Sequence, residues 1–153
     1  MGGVSLPREF GYVILTVLGS WGTLMYLAVN VSKARKKYNV MPPILYSDTE
    51  MVYNCIQRAH QNALESYPSF LVLLLLAGLK YPKGASAAGA VWCMGRIHYA
   101  HGYYTGEPDK RRQGAYFHLS ELVLIGMCLG HAGSLLGWGG RGWGRWGWRF
   151  FWR

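Results

Sequence analysis

Residues 10–31 form a stretch of 22 positions without a single charge. At 1.5 Å per residue such a helix reaches about 33 Å, the hydrocarbon thickness of a bilayer. The run is too long for the apolar part of a signal peptide, and no small-residue cleavage motif follows it, so a retained membrane helix is expected. The cationic cluster Lys33, Arg35, Lys36, Lys37 closes it, and Met41-Pro42-Pro43 forbids continuation. A second helix is predicted over about residues 50–79. Its first half is polar, with Arg58, His60, Asn62 and Glu65, and its second half, Phe70 to Leu79, carries no polar side chain. Tyr81-Pro82-Lys83-Gly84 predicts a tight turn into a third helix from Ala85 to about Tyr104, rich in small residues at first and ending in Arg96, His98, Tyr99, His101, Tyr103 and Tyr104. A charged loop, Gly106 to Arg112, leads to a fourth apolar segment from about Ala115 to Trp138, with Glu121 near its start. The expected fold is an all-α integral membrane protein, a four-helix transmembrane bundle with short connections.

Composition sharpens this picture. Charged residues are 15% of the 153 positions and hydrophobic ones 51%, against about 25% charged in a typical soluble domain. One domain fits this length. The net charge of +9 would suit nucleic acid, but the cations fall in short clusters between apolar runs, as membrane topology places them. The first and third loops hold seven Lys and Arg, the N-terminus and second loop three. This predicts cytoplasmic first and third loops. The four arginines beyond residue 138 equalise the two sides, and the first cluster is given priority because the first helix usually dominates orientation.

Residues 139–153 comprise five Gly, four Trp, four Arg and two Phe. This low-complexity tail is set apart from a membrane domain at 1–138. It reads either as a G-rich coding stretch in an unusual frame or as an interfacial anchor of aromatic and cationic side chains.

Two polar stripes carry the candidate chemistry. Arg58, Asn62 and Glu65 lie within about 60° of one another on the second helix. Charges at membrane depth are rarely retained without partners, a pore or a ligand, so the stripe is either a ligand face or an Arg58–Glu65 pair that glues helices. Arg96, Tyr99 and Tyr103 share a similarly narrow face of the third helix, read either as a second ligand face or as an interfacial aromatic belt. Both point toward the end of the bundle that carries Arg35, Lys36 and Lys110 to Arg112. Together they suit a small molecule with more than one carboxylate and an amine: arginine forks hold carboxylates, Glu65 receives an ammonium and the phenols donate hydrogen bonds.

The five histidines include one close pair, His98 and His101, with no carboxylate or thiolate at a matching interval, and Cys55, Cys93 and Cys128 form no CxxC. No metal is expected, and no disulfide scaffold.

The run from Asn54 to Pro68 (NCIQRAHQNALESYP), with Asn30 to Tyr38 (NVSKARKKY) and Gly95 to Arg112 (GRIHYAHGYYTGEPDKRR), resembles the MAPEG family, the membrane-associated proteins in eicosanoid and glutathione metabolism. The resemblance covers about residues 5–138 and leans toward the type 3 microsomal glutathione S-transferase branch. It implies a homotrimer of four-helix subunits in the endoplasmic reticulum membrane, holding glutathione as co-substrate between neighbouring subunits on the cytosolic side. By position in the motif, Arg58, Asn62, Glu65, Tyr99 and Tyr103 would contact glutathione, and Arg35 and His60 would do so from the adjacent subunit. The leukotriene-forming branch has Tyr where this chain has Ser66, with Tyr67 following. The tail cysteines of the type 3 branch have no counterpart after Cys128, so tail acylation is not carried over.

The family's thiol-activating arginine falls on Lys110 without a gap and on Arg111 with a one-residue loop shift. Arg111 is the better candidate, because a guanidinium stays charged and can hold a thiolate in hydrogen-bonding geometry. The resemblance thus implies a glutathione transferase or peroxidase acting on lipophilic electrophiles such as fatty-acid epoxides and lipid hydroperoxides. The competing reading is a fatty-acid-binding scaffold for a lipoxygenase. The complete Arg58, Asn62, Glu65 set and the cationic third loop favour the enzyme.

Overall fold

The computed structural model of the chain describes residues 6–138; the two readings of the 139–153 tail lie outside the described residues. Four α-helices, α1 (Phe10–Lys37), α2 (Met51–Gly78), α3 (Pro82–Tyr104) and α4 (Phe117–Leu135), are joined by short connections, the last of which contains a 3-10 helix at Pro108–Gly114. α3 is the central element, packing against α1, α2, α4 and the 3-10 helix.

Element boundaries depart from the expected ones where end chemistry outweighs apolar periodicity. α1 does not stop at Val31 but carries the cationic cluster in its last turns, where Lys and Arg oppose the negative end of the helix dipole. The stop is Asn39, in the left-handed region at φ 53, followed by a hydrogen bond from the Val40 N–H to the Arg35 carbonyl at 3.0 Å. That is the Schellman end, with Asn in the place glycine usually takes. α4 ends the same way: Gly137 has φ 69, and the Trp138 N–H reaches the Gly133 carbonyl at 2.9 Å. α3 begins at Pro82 rather than Ala85, because a proline at the first helical position gives up an N–H that would have no partner there. Gly106 to Arg112, expected as loop, continues as the 3-10 helix opened by Pro108.

Among the described residues, α1 alone is long and apolar enough to cross a membrane by itself. The 3-10 helix and α4 satisfy the same criterion only together, across a 45° bend. α2 and α3 fall short because half of α2 is polar and α3 is diluted by small residues and by its Arg, His and Tyr end. The outward faces are nonetheless apolar: Leu15 on α1 and Leu119 and Leu129 on α4 are each more than 60% exposed, an inside-out pattern suited to lipid.

The core lies on α3. Phe70 of α2 stacks on Trp92 at 4.0 Å between ring centroids, with Val13, Leu74, Ala85, Ala88, Phe117 and Leu124 around them. A second cluster, toward the polar ends of α2 and α3, joins Leu24, Leu27, Ala59, Ala63, Ala100 and Tyr103. Close approach of α1 and α3 depends on Gly89, where an added Cβ would meet the Thr16 methyl at 2.5 Å and a Leu74 methyl at 3.1 Å. Gly89→Ala is therefore expected to destabilise the bundle by about 1–3 kcal/mol, the usual cost of overpacking; thermal unfolding in detergent reads this, and an unchanged midpoint would show that the contact yields freely.

Candidate functional site

On α2, the expected stripe is present but already internally engaged. Arg58 Nη1 donates to Glu65 Oε1 at 2.8 Å, with the two side chains 42% and 47% exposed. The pair lies along one helix, so it joins no two helices, and exposed pairs of this kind contribute little to stability. Both charges remain open to a ligand that offers the opposite signs. Asn62 faces inward: its Oδ1 accepts from Arg96 Nη1 at 2.8 Å.

Arg96 corrects the reading of the α3 stripe. It is not a cation presented alongside Tyr99 and Tyr103 but a buried one, 1% exposed. Its guanidinium lies 3.7 Å from the Phe117 ring centroid and 4.9 Å from that of Trp92, donates to Asn62 and to the Ser66 hydroxyl, and stands 3.9 Å from Glu121 Oε1. The Trp92 indole N–H donates to the same Glu121 oxygen at 3.0 Å. A buried cation is tolerated only when paired and hydrogen-bonded, and this network across α2, α3 and α4 supplies both at the two terminal nitrogens, while Nε has no partner among the described residues. The sequence carried the signal: Glu121 is the one acid in an apolar segment, and an acid there asks for a partner. Ser66, the departure from the leukotriene-forming pattern, serves as an acceptor for Arg96. The Tyr67 hydroxyl meets Ser20 Oγ at 3.1 Å, and its ring stands 6.1 Å from Trp92, inside the bundle.

The two tyrosines of α3 do come together, edge to face at 5.3 Å. Arg111 joins them from the 3-10 helix: its Nη1 donates to the Tyr103 hydroxyl at 2.9 Å. That hydrogen bond, and the interaction with the phenol behind it, raise the Arg111 guanidinium above the ordinary arginine range; any guanidinium is a permanent cation at accessible pH. Lys110 is turned elsewhere, its Nζ paired with Glu107 Oε1 at 2.7 Å on the surface.

Arg35 and His60 stand apart from this group. Arg35 Nη1 donates to the Ile44 carbonyl at 2.8 Å, and the guanidinium lies 5.5 Å from the Tyr53 ring centroid, bracing the first loop. His60 is half-buried on the side of α2 roughly opposite Arg58. Neither makes a hydrogen bond or cation–π contact with Tyr103 or Arg111. Among the described residues no group of three or more His, Cys, Asp or Glu gathers to hold a metal ion.

The helices, the α2 motif and the α3 motif together match the profile of the MAPEG family over residues 13–133. The chain belongs to the MAPEG family. It is 37% identical over 114 residues to human microsomal glutathione S-transferase 2, covering 72% of this chain and 76% of that protein. Bovine leukotriene C4 synthase is 35% identical over 79 residues, covering 51% of each. An uncharacterized protein of Synechocystis is 40% identical over 107 residues, covering 67% of this chain and 76% of its own length. As a MAPEG protein the chain is a membrane protein, and its relatives support a glutathione transferase type of function.

Proposed function

We propose that this MAPEG protein is a membrane-bound glutathione transferase that joins the sulfur of glutathione to a lipophilic electrophile. The observation that carries the reading is the Arg111–Tyr103 contact, which holds a permanent cation beside the phenols of α3. Arg58 and Glu65 offer a carboxylate receptor and an ammonium receptor on one face of α2, and Asn62 is locked in place by Arg96. Glutathione carries two carboxylates, an ammonium and a thiol; Arg58 suits one carboxylate, Glu65 the ammonium and Arg111 the thiol, and the second carboxylate falls to the Arg35 that a neighbouring copy would bring.

In the proposed reaction the cation favours loss of the thiol proton, raising the fraction of nucleophilic thiolate. The thiolate attacks a carbon of a membrane-dissolved epoxide; the C–S bond forms, the C–O bond breaks and the oxygen takes up a proton, leaving a thioether alcohol. With a lipid hydroperoxide the O–O bond is reduced to alcohol and water while two glutathione thiols are oxidised to the disulfide. Positioning and charge stabilisation serve both. The same reading includes a homotrimer in the endoplasmic reticulum membrane, first and third loops toward the cytosol, with Arg35 and His60 completing a neighbour's site. His60 lies on the opposite side of α2 from Arg58, which supports that division. Nearness to the type 3 branch rests on the sequence motifs.

Calorimetry on the purified protein in detergent is expected to show glutathione binding at about 1 μM to 1 mM, the usual range for metabolite sites. No heat at several millimolar, together with binding of a free fatty acid, would replace this reading with the lipoxygenase scaffold.

A further inference from the structure

The segment that carries Arg111 lies on α3 with almost no side-chain layer between the two backbones. Three glycines create this contact. Gly95 and Gly102 are seven residues apart on α3, within about 20° of one another around the helix, and Gly114 ends the 3-10 helix. A Cβ built on Gly102 would stand 2.2 Å from the Lys110 carbonyl oxygen and 2.9 Å from the Arg111 nitrogen; one on Gly114 would stand 2.2 Å from both the Gly95 carbonyl oxygen and the Tyr99 nitrogen; one on Gly95 would stand 2.7 Å from the Phe117 Cβ. At Gly102 and Gly114 the obstructing atoms are backbone, which cannot rotate aside, so any side chain there would lift the segment. Neither of these two glycines has a positive φ. It is the space, and not the backbone conformation, that requires glycine at both. Elsewhere in the helices the space differs: Gly11, Gly19, Gly22 and Gly126 have nothing within 4 Å of an added Cβ, and at Gly78, Gly84 and Gly89 the obstructing atoms belong to side chains.

The consequence falls on the cation. Gly102 immediately precedes Tyr103, and Lys110 immediately precedes Arg111, so the seat at Gly102 adjoins the 2.9 Å contact between Arg111 and Tyr103. Without it, the segment's remaining charged ties are Lys110–Glu107 and Arg112–Asp109. Both are exposed, and both join residues of 107–112 to one another and not to α3. A cation stabilises a developing charge well only when it is held in place beforehand.

We propose that Gly102 and Gly114 are positioning residues: they form a backbone seat for the 3-10 helix that fixes Arg111 over Tyr103, so that thiol activation depends on two positions that touch no substrate. The proposal rests on the glutathione chemistry above and deepens it.

The test uses the full chain in detergent, unaltered and as Gly102→Ala, Gly114→Ala and Gly126→Ala. Lys110, Arg111 and Arg112 are consecutive trypsin sites inside the seated segment. Cleavage there, followed by fragment mass, is expected to quicken by on the order of ten-fold in Gly102→Ala and Gly114→Ala and to stay unchanged in Gly126→Ala. The ultraviolet absorbance of glutathione thiolate, titrated against pH, is expected to show an apparent thiol pKa higher by about one unit in the two seat variants, a ten-fold smaller thiolate fraction, with glutathione affinity kept within about three-fold. A merely structural role would lower stability without moving that titration. Should either variant fail to fold, hydrogen exchange on the unaltered protein decides: the amides of 108–114 are expected to be protected like those of α3, and exchange at the rate of an open loop would overturn the seat. Unchanged cleavage and unchanged thiol pKa in folded Gly102→Ala would overturn it equally. Absence of glutathione binding in the unaltered protein would instead overturn the reading beneath it, an outcome separate from the cleavage and exchange results.

Discussion

Arg111→Ala is expected to lower turnover by about 10² to 10³, the loss typical of removing one preorganised charge stabiliser. Glutathione affinity should hold within a few-fold, because the proposed carboxylate and ammonium receptors, Arg58 and Glu65, lie on α2. Arg58→Ala should act in the opposite order, weakening binding first by leaving a carboxylate without its guanidinium. Lys110→Ala provides the comparison. Alignment alone allows either Lys110 or Arg111 as activator, but Lys110 is committed to Glu107 at 2.7 Å while Arg111 donates to Tyr103 at 2.9 Å. Thiolate absorbance, titrated in all three variants, reads the cation directly. A raised thiol pKa in Lys110→Ala with none in Arg111→Ala would transfer the role to the lysine.

Glu121→Ala is expected to destabilise the bundle by about 3 kcal/mol, the lower end of what removing one member of a buried ion pair costs. The lower end applies because Glu121 keeps 21% of its side chain exposed and stands 3.9 Å from the arginine. The loss has two buried parts, a guanidinium without its counter-charge and a Trp92 indole without its acceptor, beside an exposed contact with His118 at 3.1 Å. Glu121→Gln should recover the second part and little of the first. Arg96→Met combined with Glu121→Leu should be less harmful than Glu121→Ala, since two apolar side chains remove the charge altogether. Denaturant unfolding in mixed micelles measures the series. A loss below about 1 kcal/mol in Glu121→Ala would mean that Phe117, Trp92, Asn62 and Ser66 satisfy the cation by themselves.

The helices are legible because hydrophobic runs are long and their interruptions are chemical, as at Pro42-Pro43 and the charged third connection, although α3 starts at Pro82 and not at Ala85, and α4 ends at Leu135 and not at Trp138. The ends depart where a short local signal competes with a longer one. Lys33 to Lys37 resembles a stop in sequence but lies inside α1, because cations suit the last turns of a helix, and Asn39, the residue that ends it, has no apolar signature. Position around the helix axis placed Arg58 with Glu65 and Tyr99 with Tyr103 correctly, since these are neighbours on their own helices. Arg96 shows where that method ends. Angle about one axis says which residues share a side, but whether the side faces outward depends on what the other helices bring, and here α4 brings Glu121 and Phe117. The approach of Arg111 to Tyr103 depends on glycines whose role is an absence, and an absence of side chain reads in sequence as mere flexibility.

The divided character of α2 has a mechanical consequence. Its polar half ends at about Tyr67, and from Phe70 onward Val72, Leu75 and Leu76 show apolar side chains to the outside. Sliding the helix by one turn, about 5.4 Å, toward the bilayer centre would draw Arg58 and Glu65 deeper into hydrocarbon, at up to about 2.5–3.5 kcal/mol per charge. Sliding it outward would wet the leucines instead. Both displacements raise the free energy, so α2 works as a depth gauge that fixes the height of the whole bundle along the membrane normal. A lipid diffusing sideways in the leaflet would therefore always meet the charged face at the same level.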